Sequence, residues 1–338
     1  MRVLIVRLGE LGDIVYAMPA AQDVRVAHAQ ATIDWVTMPR FAPLVRKVDG
    51  VNDVIEAHPH RARQMLWNGK VRSDFAALRK RLASVAYDAV LDLQGIRPSA
   101  LIARLARLAP GGHRYGLGNQ TEGAPWDRSV RWLVDRPIQV ESRLHALDRS
   151  RRIAAGALGH SIQTPPRFGL HAVRPPGAPR MRVAPTIAFL HGTGHDERLW
   201  PQANWVALGK RFLQEGWRIA LPQAGEIDQM RAELIAAALQ FELDPRVEVW
   251  PTMPLDAVVD RLGAVQGAIG IDGGLSHVAV ALNLPHVQIF NAQPSWRTGP
   301  QPEHGRRWQR SLESRPTLEA VWSAWQTVRA EAARAALP

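Results

Sequence analysis

The stretch that decides the fold is LIVRLGELGDIVYAMPAAQDV, residues 4–24. A short apolar strand runs into a turn containing Gly9 and Gly12, and a helix-like segment follows the carboxylate of Asp13. The glycine spacing is Gly-x-x-Gly and no Lys follows, so the turn is neither a dinucleotide fingerprint nor a P-loop. From the turn alone, Asp13 is either a helix N-cap, which the turn chemistry favours, or a functional carboxylate at the end of a strand.

Length and composition bound the class of protein. The chain has 338 residues, which suits two domains, and its 46% apolar content can fill a large core. It has no Cys, which excludes disulfides and thiolate metal sites and fits a reducing cytosol. The apolar run after Met1 is too short for a signal peptide, and no stretch approaches the roughly 18 apolar residues of a membrane-spanning helix. We therefore expect a cytoplasmic protein that at most contacts a membrane surface.

The positive charge is concentrated in the first half of the chain. Residues 1–170 carry 25 Lys and Arg against 15 Asp and Glu, whereas residues 171–338 carry 17 against 16. A positive field attracts anionic partners, namely nucleic acid, anionic lipid or an acidic substrate. The competing explanation is an Arg-rich surface that only reflects a GC-rich coding bias.

Apolar strands alternate with amphipathic helices along both halves of the chain. The first half predicts strands at 2–7, 32–37, 53–57 and 88–94, with helices near 15–29, 73–85, 97–108 and 142–157. The second half predicts strands at 186–191, 218–222, 247–251, 267–272 and 286–290, with helices between them and a last helix at 317–336. Such alternation is typical of parallel sheets that are covered on both faces.

A proline-rich segment separates the two halves. Five prolines and two glycines in residues 164–180 cannot sustain a helix or a central strand. The pattern predicts an α/β protein of two Rossmann-like, doubly wound domains facing a central cleft. We place the N-terminal domain at 1–165, the linker at 166–182 and the C-terminal domain at 183–316, and we expect residues 317–338 to pack back across the junction.

Two loops in the second half leave strands with polar residues. In GIDGGLSHVAVAL (270–282), Asp272 ends a strand and two glycines lead into a helix, so backbone N–H groups there suit an anion. In FLHGTGHDERLWP (189–201), Thr193 and Arg198 suit a phosphate. His191, His195 and Asp196 raise the possibility of a zinc site, but their spacing falls in a Gly-containing loop and not on a helix, which disfavours zinc.

Four motifs in this order resemble the ADP-heptose:lipopolysaccharide heptosyltransferase family, glycosyltransferase family 9. They are MRVLIVRLGELGDIVYAMPA (1–20), YDAVLDLQGIRPSALIARLA (87–106), FLHGTGHDERLWPQANW (189–205) and IDGGLSHVAVALNLP (271–285). IDWVTMPRFAPLV (33–45) and YDAVLDLQGIRPSA (87–100) look most like its heptosyltransferase I branch, which adds the first heptose to Kdo–lipid A. The resemblance implies a GT-B fold and metal-independent, inverting transfer from ADP-heptose without a cofactor. Heptosyltransferase II, or a related sugar transferase with another acceptor, is the alternative.

The resemblance also implies roles for individual residues. Asp13 matches the family's general base, which takes the proton of the attacking acceptor hydroxyl. The implied donor-binding residues are Thr193, Gly194, Arg198, Asp228, Asp272, Gly273, Gly274 and His277. Glu226 is the alternative to Asp228. Gly194 and Gly273 stand where the family commonly has hydroxyl residues, and Arg198 stands where Lys is usual, so side-chain contacts at these positions differ from the family pattern.

The acceptor-binding residues that the resemblance implies are Gly12, Arg61, Arg63, Gln94 and Gly95. Arg61 and Arg63 lie in the segment HPHRARQMLWNGKVR (58–72), which mixes cations with Trp and Met, a composition that suits an anionic lipid headgroup beside acyl chains. A solvated loop with a buried Trp is the alternative. Arg97 either contacts the acceptor or merely lies on the next helix. We expect ADP-heptose and Kdo–lipid A as partners, peripheral contact with the cytoplasmic face of the inner membrane, and no nucleic acid.

Two unrelated functions remain as competing hypotheses. A nucleic-acid-binding protein would use the basic half, but neither a recognition helix nor a base-stacking motif is evident. An NAD-dependent dehydrogenase would use Asp34, after the second strand, as its ribose ligand, but the dinucleotide fingerprint is missing.

Overall fold

The computed structural model describes residues 1–59, 68–173, 184–223, 225–239, 244–301 and 307–335. The chain divides into two compact units, Met1–Leu170 and His171–Pro338. Each unit is built on one six-stranded sheet in which every strand pairing is parallel.

The sheet of the first unit has the strand order of a Rossmann fold. Its strands are β1 (Arg2–Val6), β2 (Thr32–Thr37), β3 (Val51–Glu56), β4 (Ala86–Asp92), β5 (Arg107–Leu117) and β6 (Arg136–Ile138). They are arranged β3-β2-β1-β4-β5-β6, so the order reverses beside β1. Leu4 in β1 pairs with Asp34 on one side and with Val90 on the other. In open parallel sheets such a reversal places the ligand at the carboxyl ends of the strands.

Among the described residues of this unit, six α-helices connect and cover these strands. They are α1 (Leu11–Ala27), α2 (Ala42–Val45), α3 (Gly69–Ser84), α4 (Arg97–Leu105), α5 (Val130–Leu133) and α6 (Ala146–Leu158). The guanidinium of Arg151 in α6 donates to both carboxylate oxygens of Asp23 in α1, at 2.7 and 3.0 Å, and both side chains are buried. This two-point ion pair sets the contact between α1 and α6, and so it fixes the helix whose first turn carries Asp13.

The second unit repeats the same topology. Its strands are β7 (Thr186–Leu190), β8 (Arg218–Leu221), β9 (Val247–Val249), β10 (Gly267–Ile271), β11 (His286–Phe290) and β12 (Gln309–Glu313), in the order β12-β11-β10-β7-β8-β9. The helices are α7 (Gln202–Gln214), α8 (Glu226–Leu239), α9 (Leu255–Leu262), α10 (Gly274–Ala281) and α11 (Leu318–Ala335). Loops that follow β7 and β10 lie side by side, because these two strands are neighbours.

Aromatic side chains dominate the core of the second unit. Phe212 in α7 lies edge-on to Trp217 and Trp325, with ring centroids 5.6 Å apart in both pairs. Trp325 belongs to α11 and is fully buried, so the last helix packs on the second sheet. Its packing across the domain junction stays a prediction, as do the domain and linker boundaries.

The structure adds three strands that the sequence pattern did not predict. Strand β5 has the sequence RLAPGGHRYGL, in which a proline and several glycines break the apolar alternation, and its register with β4 shifts between Tyr87 and Ala89. Strand β6 has three residues including Pro137, and β12 is largely polar. β6 and β12 are edge strands, where Pro and polar residues are tolerated, and β5 is the neighbour of the edge strand β6.

Within the described ranges, every helix is too short or too polar to cross a lipid bilayer.

Candidate functional site

In the first unit, Asp13 lies at the carboxyl end of β1 and is held by a buried arginine. The Nη2 atom of Arg7 is 2.8 Å from Oδ1 of Asp13, and the two side chains are 2% and 23% exposed. Arg7 also donates from Nη1 to the backbone oxygen of Leu93, at the end of β4. The carboxylate therefore has one oxygen tied to the sheet, while the side chain remains partly open to solvent.

The N-cap interpretation of Asp13 is wrong. Helix α1 begins at Leu11 with Glu10 as its N-cap, and the N-cap side chain makes no capping hydrogen bond. Asp13 is thus the third helical residue, and its carboxylate turns back to Arg7. A negative charge in the first turn is favourable for the helix dipole, but that effect does not need the ion pair with Arg7.

A second turn, after β4, lies against the first. Oε1 of Gln94 accepts a hydrogen bond from the backbone N–H of Leu8 at 2.7 Å. A Cβ atom placed on Gly9 would be 2.9 Å from Nε2 of Gln94 and 3.1 Å from Oδ2 of Asp13. Gly9 therefore leaves room beside the second carboxylate oxygen, and the predicted residues Gly12, Asp13, Gln94 and Gly95 come together at one edge of the sheet.

The buried carboxylate of Asp92 holds this second turn. Its Oδ1 atom accepts the backbone N–H groups of Gln94 and Gly95 at 3.0 and 3.3 Å, while Oδ2 has no hydrogen-bond partner among the described residues. Burial raises the pKa of Asp92 to about 6, because hydrogen bonds and the charge of Arg7 offset the desolvation of the anion only in part. Gly95 has φ of +78°, which a residue with a side chain rarely adopts.

The remaining acceptor predictions concern cations. Arg61 and Arg63 lie outside the described residues, as do Met65 and Trp67. Lys70 and Arg72 are exposed in the first turn of α3, and Arg97 is exposed at the start of α4. Their contacts with an acceptor stay predictions.

In the second unit, the predicted donor residues converge at the carboxyl ends of β7 and β10. Arg198 ends a short 3₁₀ turn, and its Nη1 atom is 3.2 Å from Oδ2 of Asp272. His277 faces the other oxygen of Asp272, with Nε2 at 3.6 Å from Oδ1. The hydroxyl of Thr193 donates to the backbone oxygen of Asp272 at 3.5 Å. Residues about 80 positions apart in sequence, such as Thr193 and Asp272, thus form one polar cluster.

The turn after β10 is close-packed against the loop after β7. A Cβ atom on Gly273 would be 2.5 Å from the backbone oxygen of Gly192, so a glycine is required for this approach. The turn leads into α10, whose N-cap Gly273 offers no side-chain hydrogen bond to the first turn. A Cβ atom on Gly194 would meet no atom within 4 Å. Gly274 follows at the first helical position.

Arg198 is a cation with unused hydrogen-bonding capacity. Its Nε atom is buried and has no hydrogen-bond partner among the described residues. The backbone around it is anchored, because the side-chain amide of Asn291 donates to the carbonyl oxygens of Arg198 and Leu199 at 3.1 and 2.7 Å. A buried guanidinium N–H that lies beside an uncapped helix start is suited to an anionic group.

The geometry distinguishes between the two acidic residues that start α8. Asp228 lies against the β7 loop, since a Cβ atom on Gly192 would be 2.4 Å from its Oδ2 atom, and its Oδ1 atom is 3.2 Å from Nη1 of Arg231. Glu226 is exposed and makes no comparable contact among the described residues. We therefore prefer Asp228 as the acidic residue of this cluster.

The two histidines of the β7 loop are not arranged as a pair of metal ligands. His191 is fully buried, and burial lowers its pKa to about 4. His195 is exposed and faces Glu197 at 3.5 Å. Nowhere in the part of the chain that the structure describes do three or more His, Cys, Asp or Glu side chains group as metal ligands do.

Asp34, the ribose ligand of the dehydrogenase hypothesis, lies inside β2 and not after it, and it is committed to a structural network. It is fully buried and accepts hydrogen bonds from Arg2 at 3.0 and 3.1 Å, from the Tyr87 hydroxyl at 2.9 Å and from Asn52 at 3.1 Å. Burial, followed by the charge of Asp34, raises the pKa of Tyr87. Both carboxylate oxygens of Asp34 are therefore engaged within the sheet, which argues against a role of Asp34 in binding a nucleotide.

Sequence reasoning missed three contributors to these sites: Arg7, Gly192 and Arg231. Arg7 stands in the same motif as Asp13, and an arginine directly after the apolar run 3–6 is a signal that could have been noticed. Gly192 and Arg231 carry no comparable signal, because their importance arises from the approach of α8 to the β7 loop.

The comparisons with known proteins agree on one family. The model of glycosyltransferase family 9 (heptosyltransferase) matches residues 75–322. The chain is 30% identical over 296 residues to lipopolysaccharide heptosyltransferase 1 of Escherichia coli K12, covering 86% of this chain and 88% of the relative. It is 24% identical over 310 residues to lipopolysaccharide heptosyltransferase 2 of the same strain, covering 86% and 82%.

The fold comparison gives the same result. The structure of the E. coli heptosyltransferase WaaC with ADP matches with a TM-score of 0.80 and 27% identity, covering 99% of both chains. The two Rossmann-like sheets are those of a GT-B glycosyltransferase. The family match covers well over half of the chain, and the protein therefore belongs to glycosyltransferase family 9, the heptosyltransferases.

Proposed function

We propose that this protein transfers L-glycero-D-manno-heptose from ADP-heptose to Kdo of Kdo–lipid A, as an inverting and metal-independent heptosyltransferase I. Among the E. coli K12 relatives, identity to heptosyltransferase 1 (30%) is higher than identity to heptosyltransferase 2 (24%), which supports this acceptor. The observation that carries the chemistry is the carboxylate of Asp13, which Arg7 holds at 2.8 Å by one oxygen while the other lies beside Gly9.

The acceptor half of the reaction is assigned to Asp13. With Oδ1 held by Arg7, Oδ2 accepts the proton of the acceptor hydroxyl as its oxygen attacks the anomeric carbon of the heptose. The new C–O bond forms as the bond from that carbon to the diphosphate oxygen breaks, and ADP leaves with the electron pair. One displacement of this kind inverts the anomeric configuration.

The donor half is assigned to the polar cluster of the second unit. The unpaired Nε–H of Arg198 and the start of α10 would hold the diphosphate and stabilise the charge that develops on it. The carboxylate of Asp272 would repel a phosphate in direct contact. We therefore assign Asp272 to holding Arg198 in place and Asp228 to a hydroxyl of the nucleoside. This arrangement replaces the charge of a metal ion, and we expect chelation by EDTA to leave the rate unchanged.

A lipid-linked acceptor also calls for contact with a membrane surface. Two apolar side chains of the first unit, Leu101 in α4 and Trp132 in α5, are 47% and 77% exposed. Arg97 and Arg104 lie on the same stripe of α4 as Leu101, and Arg104 is 3.8 Å from Asp135, just beyond α5. An exposed Trp among arginines suits the headgroup region of an anionic bilayer.

The membrane contact is tested by flotation with vesicles of phosphatidylglycerol or phosphatidylcholine. We expect binding to the anionic vesicles only, and loss of binding in the double variant Leu101→Ser and Trp132→Ser. The matched control replaces Met230 and Leu234 by Ser, since these are exposed apolar residues of α8 in the second unit. Equal binding by both double variants would exclude the surface that carries Leu101 and Trp132 as the membrane contact.

The reaction is tested by mass spectrometry of the products. The protein is incubated with ADP-heptose and either Kdo–lipid A or its monoheptosylated form, and we expect one heptose to be added to the first acceptor. Asp13→Asn should retain the fold and ADP affinity and lower turnover by roughly 100-fold or more. Addition to the monoheptosylated acceptor alone would instead identify a heptosyltransferase II, and near-native turnover of Asp13→Asn would remove Asp13 as the base.

A further inference from the structure

One buried guanidinium in the first unit acts on two carboxylates. Arg7 follows β1, and Asp92, the last residue of β4, is paired in register with Val6, the last residue of β1. Arg7 is 2% exposed, donates to the backbone oxygen of Leu93 and pairs with Asp13 at 2.8 Å. Its charge also favours the ionised form of Asp92, the residue before Leu93. We call Asp13, Arg7 and Asp92 the Arg7 cluster.

The Arg7 cluster contains a buried donor and a buried acceptor that are both unpaired. Nε of Arg7 and Oδ2 of Asp92 have no hydrogen-bond partner among the described residues. The other oxygen of Asp92 is used, because Oδ1 accepts the N–H groups of Gln94 and Gly95. Buried polar atoms are rarely left unpaired, and the exceptions call for an explanation. These two exceptions belong to the side chains that determine the charge around Asp13.

The elements beside β4 bring little other charge to Asp92. Strand β5 contributes Gly116, whose Cβ position would be 3.5 Å from Cβ of Asp92. Helix α4 contributes the hydroxyl of Ser99, which favours the ionised form of Asp92, and both arginines of α4 are exposed. The cation that answers the charge of Asp92 is therefore Arg7, from β1.

Helix α6 also packs on β4, but its buried charged and titratable side chains are engaged elsewhere. They are held by or stacked on residues outside β4: Arg151 on Asp23, Arg149 on Thr121 and His145 on Tyr16. The balance of charge in the Arg7 cluster is therefore set by the three members of the cluster.

The ionisation of Asp92 decides how much of the charge of Arg7 remains for Asp13. Burial raises the pKa of Asp92 to about 6, so this side chain changes its charge close to neutral pH. With a proton on Asp92, the guanidinium neutralises Asp13 alone. Without that proton, two carboxylates share one guanidinium in a poorly solvated place, and Asp13 keeps more of its negative charge. A more negative carboxylate takes the proton of an acceptor hydroxyl more readily.

We infer that Asp92 is a positioning residue of the proposed reaction, which acts through Arg7 and sets how readily Asp13 accepts the proton of the acceptor hydroxyl. The inference rests on the proposed function and extends it to the control of the base. Asp92 needs no contact with either substrate for this role. The value of kcat should therefore rise as the pH increases through the range in which Asp92 loses its proton, and the affinity for ADP should not change.

The first test measures the pH dependence of kcat in the wild type and in Asp92→Asn. Asn keeps an oxygen for the N–H groups of the turn but carries no charge. We expect kcat of the wild type to rise about 3- to 10-fold between about pH 5 and about pH 7, and kcat of the variant to stay near the value that the wild type has at about pH 5. The control Asp74→Asn, at an exposed position of α3, should follow the wild type. An undiminished step in Asp92→Asn would overturn the inference.

Two further variants separate this role from a merely structural one. Because the hydroxyl of Ser99 favours ionised Asp92, Ser99→Ala should move the midpoint of the kcat step to higher pH. A turn that is only loosened would lower kcat at every pH and leave the midpoint in place. In the background Arg7→Gln, Asp92→Asn should change kcat by less than about twofold, since its effect runs through the guanidinium. An unmoved midpoint, or additive effects of the Arg7 and Asp92 substitutions, would contradict the inference.

Carbon-13 NMR of the aspartate carboxyl carbons separates failure of this inference from failure of the proposed function, because it needs no substrate. The signal of Asp92 should titrate near pH 6, and the signal of Asp13 should shift with the same midpoint. The shift of Asp13 at this midpoint should disappear in Asp92→Asn. A signal of Asp13 that does not respond to Asp92 would overturn the inference at any level of activity. Coupled signals without heptose transfer to either acceptor would overturn the proposed function alone.

Discussion

Asp92 is predicted to make the stability of this protein depend on pH. Its carboxylate is fully buried, and burial raises its pKa from the ordinary value of 3.8 to about 6. Between these two values the folded protein holds a proton that the unfolded chain has released. The group therefore favours folding most at low pH, and this contribution is lost as the pH rises through about 6.

The size of the effect follows from the shift in pKa. A shift of one unit corresponds to about 1.4 kcal/mol, so a rise from 3.8 to about 6 corresponds to about 3 kcal/mol. Asn is a neutral isostere whose oxygen can still accept the N–H groups of Gln94 and Gly95. Relative to Asp92→Asn, the wild type should therefore lose about 3 kcal/mol of unfolding free energy between about pH 4 and about pH 7.

The assay is urea unfolding followed by far-ultraviolet circular dichroism at several pH values. The difference in unfolding free energy between wild type and variant is the quantity to follow. Burial lowers the pKa of His191 and His286 to about 4, so these histidines make the protein more stable as the pH rises, which is opposite to the effect of Asp92. They do so equally in both proteins, and their effect cancels in the difference. Asp74→Asn, at an exposed position of α3, is the control and should show no such trend. A wild-type to Asp92→Asn difference that is constant with pH would refute a buried carboxylate that ionises inside the fold.

Three further predictions concern the two sites. Gly9→Ala places a methyl group 3.1 Å from Oδ2 of Asp13 and should lower kcat about tenfold with unchanged ADP affinity; full activity would show that Oδ2 is not the proton acceptor. Arg198→Ala should raise the Kd for ADP about tenfold in calorimetry and leave the KM for the acceptor unchanged, whereas unaltered ADP binding would remove this side chain from the donor site. Gly194→Thr should bind ADP at least as well as wild type, since the position is open, but Gly273→Thr should weaken binding because its Cβ lies 2.5 Å from a backbone oxygen; the reverse order would contradict the loop packing.

Strand prediction succeeded for the central strands and for the edge strands β3 and β9, and it failed for β5, β6 and β12. Strands β1 and β10 are buried on both faces, and such strands must be continuously apolar whatever their partners. Strand β5 contains Pro110 and three glycines and still pairs, because β4 and β6 supply the partners on either side. The β-propensity of this segment is poor, and its pairing with strands that are distant in sequence makes it a strand. No window of local sequence could therefore reveal it.

The amino-acid sequence alone determined that the protein has two α/β units of parallel strands, and it pointed to the turns that carry Asp13, Arg198 and Asp272. The fold class and the functional turns can both be predicted from local pattern, since apolar periodicity and glycine-containing turns are properties of neighbouring residues. Only the tertiary structure decided that Asp13 pairs with Arg7, that Asp228 rather than Glu226 meets the β7 loop, and that Trp126 adjoins Gly95. These contacts depend on how the strands pair and on how the helices pack against the sheets, and a local window of sequence encodes neither.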